Sequence, residues 1–151
     1  LIIGDFSLSV EQAKAQMAMW SILAAPLLMS NDLRTISPEF REILLNKEVI
    51  KINQDPKGQM GKRVLQTKSH MEVWTRELSS NSLAAVIFSR SQSMPAIFET
   101  TLETLKFSAP KGYDLFDITD NKPLGHFFLN ETLAIKVNPN GAVMFKATPT
   151  T

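Results

Sequence analysis

Two aspartates stand where a catalytic pair could. Asp5 follows the apolar run Leu1-Ile2-Ile3-Gly4, and Asp32 follows Leu27-Leu28-Met29 after only Ser30 and Asn31. In a parallel sheet or barrel both acids would leave the carboxyl ends of their strands, at the rim where barrel active sites form. Position alone would make them a nucleophile and a general acid. The alternative is that they hold loops or cap helices, as short acids after strands often do. His70 and His126 are the only histidines. A Ser–His–Asp triad could be composed from the many serines and aspartates, but no spacing favours one. Cysteine is absent, which removes a disulfide framework, a thiolate metal site and a cysteine nucleophile. The remaining ligand types are not clustered, so no metal site is expected. Both histidines are expected in solvent, with His70 on a mixed, exposed strand face beside Glu72, Trp74 and Arg76.

The elements that would position these residues come in two styles. Leu1 to Gly4 is continuously apolar, as expected for a strand covered on both faces in a parallel sheet. Ser9 with Gln12 three residues on has capping-box spacing. The helix it opens puts Ala13, Met17, Trp20 and Ala24 on one stripe and is expected to run to Pro26. Leu27-Leu28-Met29 is then a second buried strand, with Ser30-Asn31-Asp32 as its exit. Ser37-Pro38-Glu39 opens another helix, by hydroxyl cap, proline at the first turn and acid at the positive end. That helix should reach about Asn46, with a further short turn through Glu48 to Ile52. Asp55-Pro56-Lys57-Gly58 and Gly61 are rich in breakers and mark a boundary.

From Val64 onward the period changes to two. His70 to Arg76 alternates, Ser82 to Ser89 is a buried run, Tyr113 to Ile118 alternates, and Leu133, Ile135 and Val137 share one face. Asn138-Pro139-Asn140-Gly141 is a turn, with glycine free for positive φ, and Ala142 to Thr148 returns from it. Short strands with turn signals between them predict an antiparallel β-sandwich over residues 64–151.

The 151 residues are 44% hydrophobic, enough for a real core. Seven basic and seven acidic residues precede Arg63, and nine and eight follow from it. Neither half has the basic excess that a nucleic acid or an acidic membrane surface would call for. The apolar run from Ala15 to Met29 is broken by Pro26 and falls short of the ~20 residues of a membrane span.

Three stretches occur in order: QMAMWSILAAPLLMSNDLRTIS, EVIKINQDPKG and EVWTREL. Together they resemble the α-galactosidase and α-N-acetylgalactosaminidase family of retaining glycosidases, most closely from Gln16 to Pro56. Asp5, Lys57 and Met60 depart from residues common in that family. The resemblance implies a fold of mixed class: the last two βα units of a (β/α)8 TIM barrel (residues 1–63), then a C-terminal antiparallel β-sandwich (64–151). Leu1 to Gly4 would be the seventh barrel strand and Leu27 to Met29 the eighth. It implies cleavage of terminal α-linked galactose or N-acetylgalactosamine from glycoconjugates by two aspartates. In retaining enzymes such carboxyl groups sit ~5 Å apart. In the family both lie upstream of the position matching Leu1, so no catalytic and no substrate-binding residue is expected in this chain. Asp5 and Asp32 then revert to loop holders.

On this view the chain is the C-terminal fragment of a longer enzyme. Alone it would be inactive and, with an unpaired strand edge, prone to aggregate. Family habit also implies a lysosomal or secreted protein, a homodimer, and no metal or redox cofactor. Asn130-Glu131-Thr132 is the one N-glycosylation sequon, with Thr132 on the polar strand face. The Met17-Met19-Trp20 cluster could stack on a sugar but fits helix core better. Trp74 is the fairer stacking candidate. Two alternatives stand beside the glycosidase: a non-catalytic carbohydrate-binding or structural β-module, and a catalytically dead homologue. Against the first, Leu1 to Asn53 carries more apolar surface than a linker arm could leave in water.

Overall fold

The structure is a computed structural model that describes residues 1–5 and 7–150. Phe6, part of the expected loop after Leu1–Gly4, lies outside the described residues. Three helices come first: α1 (Val10–Ile22), α2 (Pro38–Leu44) and α3 (Lys47–Asn53). Eight strands follow: β1 (Lys62–Gln66), β2 (Met71–Glu77), β3 (Leu83–Ser89), β4 (Ala96–Thr101), β5 (Tyr113–Asp117), β6 (Lys122–Phe127), β7 (Thr132–Val137) and β8 (Ala142–Pro149). Six strands form an antiparallel sheet in the order β1-β2-β3-β8-β5-β6, and β4 pairs with β7 in a second, two-stranded sheet.

The sandwich expected after the helices is therefore present, and its larger sheet is covered on both faces. On one face β4 and β7 enclose a core with Met71, Val73, Ile87, Leu115 and Phe145. On the other, α1 and α3 enclose Ala84, Val86, Ala142 and Met144. Double coverage explains why β3 (LAAVIFS) reads as an unbroken apolar run, while β7 keeps a strict exposed–buried alternation with one face free. It also corrects the expectation for β2. Glu72 and Arg76 lie under the helices and each is 2% exposed, so the face they share with Trp74 is interior, not solvated.

Helix α1 begins as its sequence says. Ser9 Oγ accepts the Gln12 N–H, and the Gln12 side chain accepts the Ser9 N–H. Its end differs from expectation. The helix stops at Ile22, four residues before Pro26, because Ala24 turns left-handed at φ +52°. The Ala25 N–H then reaches Trp20 O, and the Ala24 N–H reaches Ser21 O, closing a Schellman cap. Ala13 and Met17 are buried as the stripe requires, but Trp20 sits at the margin, 36% exposed.

Helix α2 starts at Pro38, yet the Ser37 hydroxyl makes no cap bond, so the proline and Glu39 do that work without it. The short turn expected after it is a full helix, α3, because the Asn46 side chain accepts the N–H groups of Glu48 and Val49. In the 138–141 turn, Asn140 takes the positive φ, at +53°, and Gly141 does not. A Cβ on Gly141 would lie 3.1 Å from Asn138 O and would displace the end of the Glu11 side chain.

Leu1–Gly4 and Leu27–Met29 are not strands in the structure. They do lie side by side: the Leu1 nitrogen donates to Leu28 O, and the Ser30 N–H donates to Leu1 O at 2.8 Å. One residue bonding to both neighbours of its opposite number is the hydrogen-bond pattern of a parallel pair. The pair was expected to be buried on both faces, and it is not. Leu1 and Ile3 are buried against α1, whereas Leu28 is 74% and Met29 52% exposed. With no strand on either side of it, the pair is too short to count as a sheet, and its outer face has no cover among the described residues.

Candidate functional site

The parallel pair brings the two aspartates to the same end, since both follow it in the same direction. The Asn31 side chain ties the rim by donating to Ile3 O. Asp5 closes two turns with its backbone, its N–H donating to Ile2 O and its carbonyl accepting from Leu8. Asp32 is held by Arg34, whose Nε and Nη2 donate to it at 2.9 and 2.6 Å and whose backbone N–H donates at 2.9 Å. These Arg34 bonds hold the Asp32 carboxyl below the usual carboxylate range. An exposed acid so engaged has its lone pairs committed to its own loop, which is the loop-holding role.

The histidines do not meet. His126 Nδ1 lies 3.1 Å from Asp114 Oδ1 on the exposed side of the β5–β6 hairpin, with the Thr150 hydroxyl 3.4 Å away. His70 is in the turn before β2, at φ +63°. Among the described residues no group of three or more His, Asp or Glu side chains is placed to hold a metal ion. Asn130 is exposed in the turn before β7, and Thr132 is exposed at its first position. Its sequon is thus reachable from solvent. Trp74 is occupied at both its edge and its face: its Nε1 donates to Glu72 at 3.1 Å, and the Arg63 guanidinium lies 5.9 Å from the ring centre. Glu72 in turn meets Arg90 Nε at 2.7 Å and Arg63 at 3.6 Å.

One buried polar junction was missed by the sequence reading. Arg76, on β2, sends Nη1 to Ser21 O, Ile52 O and Asn53 O at 2.8, 2.6 and 3.3 Å. Those carbonyls end α1 and α3, where the helix dipoles present partial negative charge. Asn53 Nδ2 donates to Trp20 O and Ala25 O, and the Gly61 N–H donates to Ile22 O. With the Leu23 N–H on Met19 O, all four terminal carbonyls of α1 are satisfied. Beside them, Asp55 accepts from the N–H and hydroxyl of Ser79 and from the Lys57 N–H. Burial raises the Asp55 pKa, but the Ser79 and Lys57 bonds and the charge of Arg76 outweigh it, and the net direction is downward. Burial lowers the Arg76 pKa, against the opposing pull of Asp55. One signal for this junction was in the sequence: α1 has no basic residue in its last turn, so its carbonyl end had to be met from elsewhere.

A cavity of about 360 Å³ opens between α1, α2 and the β5–β6 turn, with Met17, Ile43 and Met144 in its floor and Lys14, Glu42 and Asp120 at its mouth. Lys14 is shared between Glu11 and Asp120. Among the described residues that line this space, no nucleophile is paired with a base.

Comparison with known proteins gives matches along nearly the whole chain. Residues 1–55 match the family model described as "Alpha galactosidase A", and residues 58–141 match that of the "Alpha galactosidase A C-terminal beta sandwich domain". The α-N-acetylgalactosaminidase of Gallus gallus is 45% identical over 149 residues, covering 99% of this chain and 37% of its own length. The human α-galactosidase A is 38% identical over 151 residues, covering 97% of this chain and 35% of its own. The chain thus spans little more than a third of the curated relatives it matches. Among solved structures, α-galactosidase I of Mortierella vinacea superimposes with a TM-score of 0.88 at 21% identity, over 98% of this chain and 38% of that one.

Proposed function

The chain belongs to the alpha galactosidase A family, and from that premise we propose that it is the carboxyl-terminal part of a retaining glycosidase. The whole enzyme removes terminal α-linked galactose or N-acetylgalactosamine from glycoconjugates. Its nucleophile and general acid stand on strands that precede Leu1, so this chain holds neither catalytic nor substrate-binding residues. Residues 1–63 complete the barrel, with Leu1–Gly4 and Leu27–Met29 as its last two strands, and 64–151 brace it. The observation that carries this reading is the ordered double match over 1–55 and 58–141 together with 45% identity over 149 residues. The parallel hydrogen bonds joining Leu1 to Leu28 and Ser30 support it, since adjacent barrel strands pair that way.

The same reading makes the protein lysosomal or secreted, a homodimer, and modified at Asn130. The accessible turn around Asn130 supports that modification. No helix among the described residues is long and apolar enough to cross a membrane.

The test is to assay the full-length protein on an aryl α-galactoside and an aryl α-N-acetylgalactosaminide, following the anomeric form of the released sugar by NMR. Turnover of at least one, with the α-anomer appearing first, is expected. No turnover of either, or inversion, would contradict the reading.

A further inference from the structure

The turn from β6 to β7 leads from the six-stranded sheet to the two-stranded one, and it leaves a large aromatic side chain in water. Phe128 is 50% exposed, two residues before the sequon asparagine. The His126 ring stands across it, with centres 5.0 Å apart and planes at 84°, and braces one side of it. The backbone beneath is closed. The Glu131 N–H donates to Phe128 O at 3.2 Å, and the Phe128 N–H donates to the Glu131 carboxylate at 2.7 Å. Leu129 packs against the core between the sheets, and its carbonyl accepts the Glu103 N–H at 2.9 Å. With Leu129 turned inward, its neighbours Phe128 and Asn130 are both exposed, and so is Thr132 at the start of β7.

We propose that Phe128 is the platform on which the first N-acetylglucosamine of an Asn130 glycan rests, so that the glycan holds the β6–β7 turn as well as covering it. The inference rests on the reading of Asn130 as modified. In that modification the Asn130 side-chain nitrogen bonds to the anomeric carbon of a lipid-diphosphate-linked oligosaccharide and gives up a proton, and the lipid diphosphate leaves. Two observations carry the stacking. The spacing Phe128-Leu129-Asn130 sets the ring and the attachment nitrogen at flanking outward positions of one closed turn, within the span of a single pyranose. The C–H groups on one face of a pyranose carry partial positive charge, which suits the negative face of an aromatic ring. The second observation is that the Glu131 and Leu129 bonds fix the turn without the sugar, so little freedom is lost when the sugar docks.

The test uses the full-length protein secreted from eukaryotic cells whose glycans stay oligomannose, with glycopeptide mass spectrometry to read occupancy at Asn130. An endoglycosidase then trims every glycan to a single N-acetylglucosamine, and the thermal midpoint is compared with that of the equally trimmed Asn130→Gln variant. A midpoint higher by a few degrees with the Asn130 sugar in place is expected, and the difference should vanish when both proteins also carry Phe128→Leu. In NMR spectra the ring protons of that sugar should lie upfield while Phe128 is present and move back on Phe128→Leu. Equal midpoint differences in the two backgrounds would overturn the inference and leave modification at Asn130 standing. An upfield shift that survives Phe128→Leu would place the sugar on another ring and overturn it as well. Bare Asn130 in the glycopeptides would remove the modification and the inference together.

Discussion

Ala24 ends α1 in a conformation that L-residues avoid, with φ at +52°. Left-handed backbone costs an L-residue roughly 1–2 kcal/mol, which glycine escapes at some entropic expense. Ala24→Gly is therefore expected to stabilise the protein by up to about 1 kcal/mol, read as a higher urea midpoint at unchanged slope. Asp55 governs the acid response. Its carboxyl is held below its ordinary pKa in the folded protein, so its contribution is complete above about pH 4 and is lost as pH falls through the folded value. Asp55→Asn should cost about 1–2 kcal/mol at neutral pH and flatten the loss of stability below pH 4, as followed by denaturation at a series of pH values. Asp117 acts with the opposite sign: burial raises its pKa, so its effect is to lower stability as pH rises through that value. At this scale the sequence was readable where a side chain serves its own backbone, as with Ser9 and Gln12. It was not readable for Glu72 and Arg76, because the same polar alternation fits either an exposed face or one roofed by helices.

The elements meet at Arg76. One guanidinium from β2 caps the carbonyl ends of two helices, so the helical layer and the sheet are joined by charge as well as by apolar contact. Arg76→Met keeps the length of the side chain and removes the guanidinium bonds, leaving Ser21 O and Ile52 O only the longer turn bonds from the Ala24 and Asp55 N–H groups, 3.2 and 3.3 Å. It should destabilise the protein by about 3 kcal/mol, measured by denaturant unfolding; a loss below about 1 kcal/mol would show that the apolar contacts alone hold the layers. Strands with one free face, such as β7, were legible from alternation. β4 and β6 were not. In β6, Pro123 and Gly125 interrupt the pattern on an edge strand, where a missing ladder donor is tolerated. Leu1–Gly4 and Leu27–Met29 read as buried strands in the sequence, yet they form no strand and leave Leu28 and Met29 exposed.

At the scale of the whole molecule, a six-stranded sheet is covered by β4 and β7 on one face and by the helices on the other. Beyond the helices lies an apolar edge at Ile2, Leu28 and Met29 without cover among the described residues. The fold class of the carboxyl-terminal part followed from the change of period near Val64. The role of Asp5 and Asp32 was not legible from their position, because they stand where catalytic acids would; the Arg34 bonds to Asp32 tie that carboxylate to its own loop. The central claim is that the reactive carboxylates lie outside these residues. It is tested most directly by offering an aryl α-galactoside and an aryl α-N-acetylgalactosaminide to the 151-residue chain and to the full-length protein, side by side. Turnover by the full-length protein and none by the 151-residue chain is predicted. Saturable turnover by the 151-residue chain, abolished by Asp5→Asn or Asp32→Asn, would contradict the account.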